Sequence, residues 1–247
     1  MTTGRQGHVS PDLASRRLKG LKIERLLGLV PDSTPRDLLE IGCGSGGISH
    51  YFATHAQLKF NVEAVDVTDS RKVGDGYRFQ QVAGTGLPFG DRSFDVVLSN
   101  HVIEHVGECA EQLDHLREIH RVLRDEGACY LAVPNRWMLV EPHYKLAFLS
   151  WLTPALRSPY LRMAGKGDFY DCVPLAMSEV ERMLREVGFT YRNVCVDALR
   201  ETLSIEQPKG AARFLRHVPG SLWSMVRPVI PTLIYVVTKA PAFRRHT

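Results

Sequence analysis

The sequence predicts an α/β fold: a doubly wound sheet of seven strands, mostly parallel with the last strand antiparallel, carrying helical insertions. Three observations lead there. Short apolar, β-branched runs alternate with segments of helical spacing along most of the chain. The first such run opens directly into a cluster of glycines, as a strand does where the backbone turns sharply beneath a ligand. The chain has 247 residues, 44% hydrophobic and 23% charged, which is ordinary globular composition with length enough for one sizeable core.

Ser10-Pro11-Asp12 supplies an N-cap, a proline at the first helical position and an acid in the first turn. The helix that follows carries Leu13, Leu18, Leu21 and Leu26 and ends near Gly28. Asp37–Ile41 is a short buried strand, Ile48–Ala56 a helix, and Val62–Val67 and Tyr77–Val82 the next two strands. Phe94–Asn100 is a β-branched fourth strand. Leu113, Leu116, His120 and Leu123 keep helical spacing until Gly127, and Ala128–Val133 forms a fifth strand. A capping box at Ser178-Glu179-Val180-Glu181 opens a helix with Val180, Met183, Leu184 and Val187 on one face, closed by Gly188. Two further strands are expected at Thr190–Val196 and Leu233–Thr238. Residues 136–177 and 199–232 break the alternation and read as insertions.

Five scattered cysteines, never in a C-x-x-C pair, fit a reducing compartment better than a disulfide framework or a zinc site. No signal peptide or membrane-spanning run is evident, so a cytoplasmic protein is expected, with at most peripheral contact at the inner membrane face. Beyond Glu206 there is no acid, while Lys209, Arg213, Arg216, Arg227, Lys239, Arg244 and Arg245 are all basic. That asymmetry points to an anionic neighbour for the C-terminal part.

The centre of the functional case is Leu38-Leu39-Glu40-Ile41-Gly42-Cys43-Gly44-Ser45-Gly46-Gly47. Gly42, Gly44 and Gly47 satisfy the Rossmann-like fingerprint G-x-G-x-x-G, which alone serves several nucleotide cofactors. Glu40, just inside the strand end, would sit close to a cationic group. Asp66, ending the second strand, can accept hydrogen bonds from both hydroxyls of a ribose. Leu87-Pro88-Phe89 and the run from Ser93 through Asn100, His101, Glu104 and His105 to Val106 follow in order.

The glycine loop, the Asp66 strand end and the LPF…SFDVV…NHVIEHV run together resemble the type 11 branch of the class I S-adenosylmethionine-dependent methyltransferases, over about residues 36–135. The resemblance implies S-adenosyl-L-methionine as cofactor. It places Glu40, Gly42 and Gly44 along the methionine part, Asp66 on the ribose, and Gly84, Thr85 and Leu87 beside the adenine. Cys43, Val67 and Asn100 complete the expected cofactor set. A position often acidic in that family is Ala83 here, which would leave the adenine to main-chain N–H groups and the Thr85 hydroxyl. The domain layout is then an N-terminal helix (1–30), a cofactor-binding core (31–135), a substrate lid (136–177) and a C-terminal helix and strands (178–247) with a basic insertion at 199–232.

Methyl transfer needs an acceptor aligned with the methyl and shielded from water; a hydroxyl acceptor is helped by a general base. His143, in the lid, is the preferred candidate, with His105 and His101 after the fourth strand as the others. His50, His55, His115 and His120 read as surface or interface residues. No H-x-x-x-D or paired-carboxylate pattern calls for a metal, so none is expected.

The segments PNRW…EPHYKLAFLSWL and PTLIYVVTKAP resemble a subgroup found beside glycan and lipid biosynthesis enzymes. They point to O-methylation of a sugar, a lipid-linked glycan or another small molecule. The C-terminal mixture of Phe214, Leu215, Leu222, Trp223 and Val226 with arginines fits either a membrane interface or a helix packed on the sheet. A quinone-pathway C-methyltransferase and a nonenzymatic cofactor-binding protein stay open as alternatives. Nothing indicates a nucleic-acid partner, and a nicotinamide-dependent enzyme would leave Glu40 without a role.

Overall fold

The computed structural model describes residues 13–206 and 218–239. Its frame is five strands, β1 (Arg36–Ile41), β2 (Phe60–Asp66), β3 (Arg78–Gln81), β4 (Phe94–Asn100) and β5 (Leu123–Pro134), each paired in parallel with its neighbour. Strands covered on both faces need apolar residues at nearly every position. Accordingly Leu38, Leu39, Val97, Leu98 and Leu131 are fully buried.

Helix α1 (Leu13–Leu27) precedes β1, and α2 (Gly47–Ala53) and α3 (Cys109–Val122) fill connections between strands. After β5 come a small hairpin, β6 (Val140–Glu141) and β7 (Leu146–Ala147), and helix α4 (Pro154–Met163). The chain then returns through α5 (Met177–Val187), β8 (Thr190–Asn193), α6 (Cys195–Glu206), α7 (Gly220–Val226) and β9 (Thr232–Thr238). The sheet order is β3-β2-β1-β4-β5-β9-β8, with β9 antiparallel to both its neighbours. This is the predicted seven-stranded architecture with its reversed last strand.

Side chains alternating across each strand divide the core into two layers. Leu39, Val97 and Leu131 pack against α3 and α5, through Leu116, Ile119, Met183 and Leu184. Leu38, Val96, Leu98 and Tyr130 pack on the other face against Ile23 and Leu26 of α1, Phe52 of α2 and Ala198 of α6. The chain leaves β1 toward β3 on one side and returns to β4 on the other. Such a reversal opens a crevice at the carboxyl ends of the strands.

Four boundaries differ from expectation. The helix expected to reach Gly127 stops at Val122, because Leu123 turns to extended geometry and pairs with Phe94 across a register shift. The fifth helix starts at Met177, not behind a Ser178 cap: the Ala176 N–H donates to the Glu179 carboxylate at 2.7 Å, so the box closes two residues early. The strand expected to reach Val196 ends at Asn193, whose side-chain oxygen accepts the Cys195 N–H and starts α6. Residues 199–206 are therefore helix rather than insertion, held on α1 by Arg25–Glu201 at 3.0 Å and a Lys22–Thr202 bond. The Ser10-Pro11-Asp12 cap and most of the basic C-terminal residues lie outside the described residues. Among the described residues no helix is long and apolar enough to cross a membrane.

Candidate functional site

The turn after β1 is built for close approach. Gly42 and Gly46 have φ of 70° and 77°, where a side chain is strained. A Cβ on Gly42 would come within 2.5 Å of Val102 Cγ2, and one on Gly46 within 2.1 Å of the Tyr77 hydroxyl. The Gly42 N–H donates to the Val65 carbonyl at 2.8 Å, and the Gly44 N–H to Asp66 Oδ2 at 2.8 Å. The second Asp66 oxygen accepts the Thr68 N–H. The glycine loop and the Asp66 strand end, adjacent only through the fold, are thus one bonded unit.

Beside it opens a cavity of about 590 Å³ at the carboxyl ends of β1, β2 and β4. Glu40, Gly42, Cys43, Gly44, Asp66, Val67, Gly84, Thr85 and Asn100 all line it, and so do His101, His105 and His143. Leu87 does not. Its side chain belongs to the apolar core and its N–H donates to Glu118 at 2.8 Å. An apolar residue of a core-forming LPF run is held by packing before it can serve a ligand.

Glu40 is fully buried and accepts a short hydrogen bond from the Ser49 hydroxyl. Burial raises its carboxyl to about 7, against the help of Ser49 and the more distant Arg16. Arg16 and Lys19 reach the same cavity from α1. Burial, together with Lys22 and Arg16, lowers the Lys19 ammonium to about 8. Sequence reasoning missed both cations. Their i, i+3 spacing was legible, but which polar face of α1 meets the sheet end is decided by packing.

The cavity is also lined by groups from the turn after β4 and from the segment between β5 and α5. His101 adopts a left-handed backbone (φ 59°), uncommon outside glycine, and its Nδ1 lies 3.3 Å from Glu104 Oε1. His105 Nε2 lies 3.9 Å from the same oxygen. Glu104 is fully buried. From the β6–β7 hairpin, His143 Nδ1 donates to Glu141 Oε1 at 2.7 Å, while Glu141 Oε2 accepts the Tyr144 N–H at 2.8 Å. That bond to Glu141 raises the His143 pKa above the ordinary 6.5, outweighing burial. The rings of His105 and His143 stand 6.1 Å apart.

Asp171 also lines the cavity and accepts from the Tyr144 hydroxyl at 3.2 Å. His105, Asp171 and Cys172 bring one donor atom each within 4.8 Å of one another. The Cys172 thiol is pushed far up by burial among carboxylates. No spacing in the sequence announced this cluster, because His105 follows β4 while Asp171 and Cys172 belong to the lid, more than sixty residues later. His115 corrects another expectation: it is buried, bonds the Ser99 hydroxyl at 2.9 Å, and burial lowers it to about 4. His50 is exposed in part on α2, His55 accepts N–H bonds in its own turn, and His120 packs on Phe189.

Residues 39–131 match the family model described as a methyltransferase domain. A Mycobacterium tuberculosis protein named as a probable S-adenosylmethionine-dependent methyltransferase is 37% identical over 111 residues, 44% of this chain and 39% of that protein. The ubiquinone biosynthesis O-methyltransferase of Caulobacter vibrioides is 32% identical over 130 residues, 47% of this chain and 49% of its own. The chain thus spans between two fifths and one half of these relatives. In three dimensions it is similar to a methyltransferase of Methanosarcina mazei (TM-score 0.52, 15% identity, 84% of this chain and 94% of that one). It is equally similar to the [4+2]-cyclase SpnF (TM-score 0.54, 17% identity, 96% and 85%). At such identities the likeness concerns the fold, and the cyclase illustrates that one fold hosts more than one chemistry.

Proposed function

We propose that this protein, whose residues 39–131 match the methyltransferase-domain family model and resemble S-adenosylmethionine-dependent methyltransferases, is a class I enzyme of the type 11 branch that transfers a methyl group from S-adenosylmethionine to a hydroxyl of a sugar, a lipid-linked glycan or another small molecule. The observation that carries the reading is the lining of one cavity, which brings together the glycine loop, Glu40, Asp66 and the histidines His101, His105 and His143. The residues suit the cofactor. A Cβ on Gly42 would intrude on Val102 beside the cavity, Asp66 offers a carboxylate for vicinal hydroxyls, and the buried Glu40 carboxylate complements a cationic amino group.

S-adenosylmethionine supplies an activated methyl on a sulfonium that is its own leaving group. The chain's residues do the rest. Asp66 and the loop fix the ribose end, Gly84 and Thr85 flank the adenine, and Asn100 borders the reacting end. His143 takes the acceptor's proton on Nε2, while Glu141 holds Nδ1–H and stabilises the imidazolium as it forms. His105 and His101, each facing Glu104, orient the acceptor. We assign no metal a part in the transfer.

The test is incubation of labelled S-adenosylmethionine with fractionated cell extract. Label on an oxygen of a glycan or small molecule supports the reading. Label on a ring carbon of a quinone precursor would replace it with the C-methyltransferase alternative.

A further inference from the structure

We propose that the outer face of the segment between β5 and α5 docks on an anionic lipid bilayer, beside the cavity that the same segment lines with Pro142 and His143. Eight of the fifteen exposed large apolar side chains among the described residues fall between Trp137 and Phe169. That concentration is what separates a docking patch from the scattered exposure of an ordinary surface. Leu156, Phe169 and Met163 are 54%, 66% and 81% exposed.

The patch is continuous. The Trp151 ring meets Trp137 at 5.5 Å and Phe148 at 5.3 Å, and its N–H is held inward by the Met138 carbonyl at 2.8 Å. The polar end of this indole is therefore satisfied within the protein while its hydrocarbon edge is presented outside. Phe148, Leu152, Leu156, Tyr160 and Met163 continue it as a shallow groove of about 390 Å³. Beneath lies a separate small core of Tyr144, Leu149, Leu161, Tyr170 and Cys172. Helix α4 contributes Leu161 to that core and still shows Leu156 and Met163 outside. Its outward apolar residues are surplus to the packing of the segment.

Charge decides the occupant. Lys145, Arg162 and Lys166 are exposed on this segment against a single exposed acid, Asp168. Glu141 is buried and engaged with His143, and Arg157 is buried with its donors on the Leu152 and Ser150 carbonyls. An apolar, tryptophan-bearing patch on a segment whose exposed charges are mostly basic matches a bilayer with anionic headgroups. Pairing of two copies through this face would bring two net-positive surfaces together. These cations lie on the lid and are distinct from the basic run after Glu206.

The experiment needs neither cofactor nor acceptor, so it succeeds or fails independently of methyl transfer. The full chain with Trp223→Phe keeps Trp137 and Trp151 as reporters. It is mixed with phosphatidylglycerol-rich vesicles carrying brominated acyl chains, and with neutral phosphatidylcholine vesicles. The expected result is quenching and co-sedimentation with the anionic vesicles, weakening with salt. Leu156→Asp with Met163→Asp should cut binding at least tenfold. Reversing Lys145, Arg162 and Lys166 to Glu should cost about fivefold or more per residue. All five positions are exposed, and unchanged thermal unfolding establishes that each variant folds. Absence of binding at low salt overturns the proposal. So does binding that survives Leu156→Asp with Met163→Asp, which would move the contact to the basic run after Glu206. A dimer in sedimentation equilibrium that the same variant splits, with no vesicle affinity, overturns it in favour of self-association.

Discussion

Replacing Glu40 by glutamine keeps the shape of the side chain and its acceptor for the Ser49 hydroxyl, and removes the charge. Burial lifts this carboxyl from 4.5 to about 7 in the folded chain. A charged Glu40 therefore opposes folding by ~3 kcal/mol once the pH exceeds the folded value. Below 4.5 the group is protonated in both states and there is no penalty. Between 4.5 and about 7 the folded chain holds a proton that the unfolded chain has released, so stability declines as pH rises; above that window the penalty is constant. Urea unfolding of both proteins should show Glu40→Gln gaining on the parent by ~2–3 kcal/mol between about pH 5 and pH 8. The same change should weaken S-adenosylmethionine binding, because the cationic amino group loses its counter-charge. Calorimetry of the parent near neutral pH should show proton release on binding, the ligand drawing Glu40 back to its charged form. Equal pH–stability curves for the two proteins, with equal cofactor affinities, would refute the reasoning.

Asp66→Ala removes the acceptor of the Gly44 N–H at 2.8 Å and the proposed ribose contact; cofactor affinity should fall by roughly 1–3 kcal/mol per lost bond, and an unchanged titration would show the assignment to be wrong. Gly42→Ala places a Cβ 2.5 Å from Val102 Cγ2 at a φ of 70°, so both the unfolding midpoint and cofactor affinity should drop; retention of both would show that the loop yields. Because Glu141 raises His143, the acidic limb of the transfer rate should lie above pH 6.5, activity being lost as pH falls and Nε2 becomes protonated. Glu141→Gln should move that limb downward, and an immobile limb would remove His143 as the base. Chelation should leave transfer intact; loss on chelation and recovery with magnesium would instead assign the His105, Asp171 and Cys172 cluster a working ion.

The sheet was legible because each of its buried strands is a short apolar run interrupted by glycine or polar turns, and β4 is matched residue for residue from Phe94 to Asn100. That Glu40, Gly42, Gly44 and Asp66 line one cavity was legible for the same reason: they stand at strand ends, and strand ends share one edge of a parallel sheet. What failed depends on long-range packing. Leu123 keeps helical spacing, yet strand pairing with Phe94 claims it. Cys195–Glu206 has a helical face, but its partner α1 lies some 170 residues earlier, as the 176-residue separation of Arg25 and Glu201 illustrates. The Glu104–His105–Asp171–Cys172 grouping exists only once the lid returns over β4. His115 shows the limit of periodicity: its helix position was readable, and its burial against Ser99 was not.

The central claim is that the cavity hands a methyl group from S-adenosylmethionine to an acceptor. It is tested most directly by following labelled methyl from that cofactor into extract fractions, with the parent protein and Asp66→Ala side by side. Label should enter a product with the parent protein, and little should enter with Asp66→Ala. Parent protein that binds S-adenosylmethionine, yet labels no fraction above the Asp66→Ala background, would contradict it.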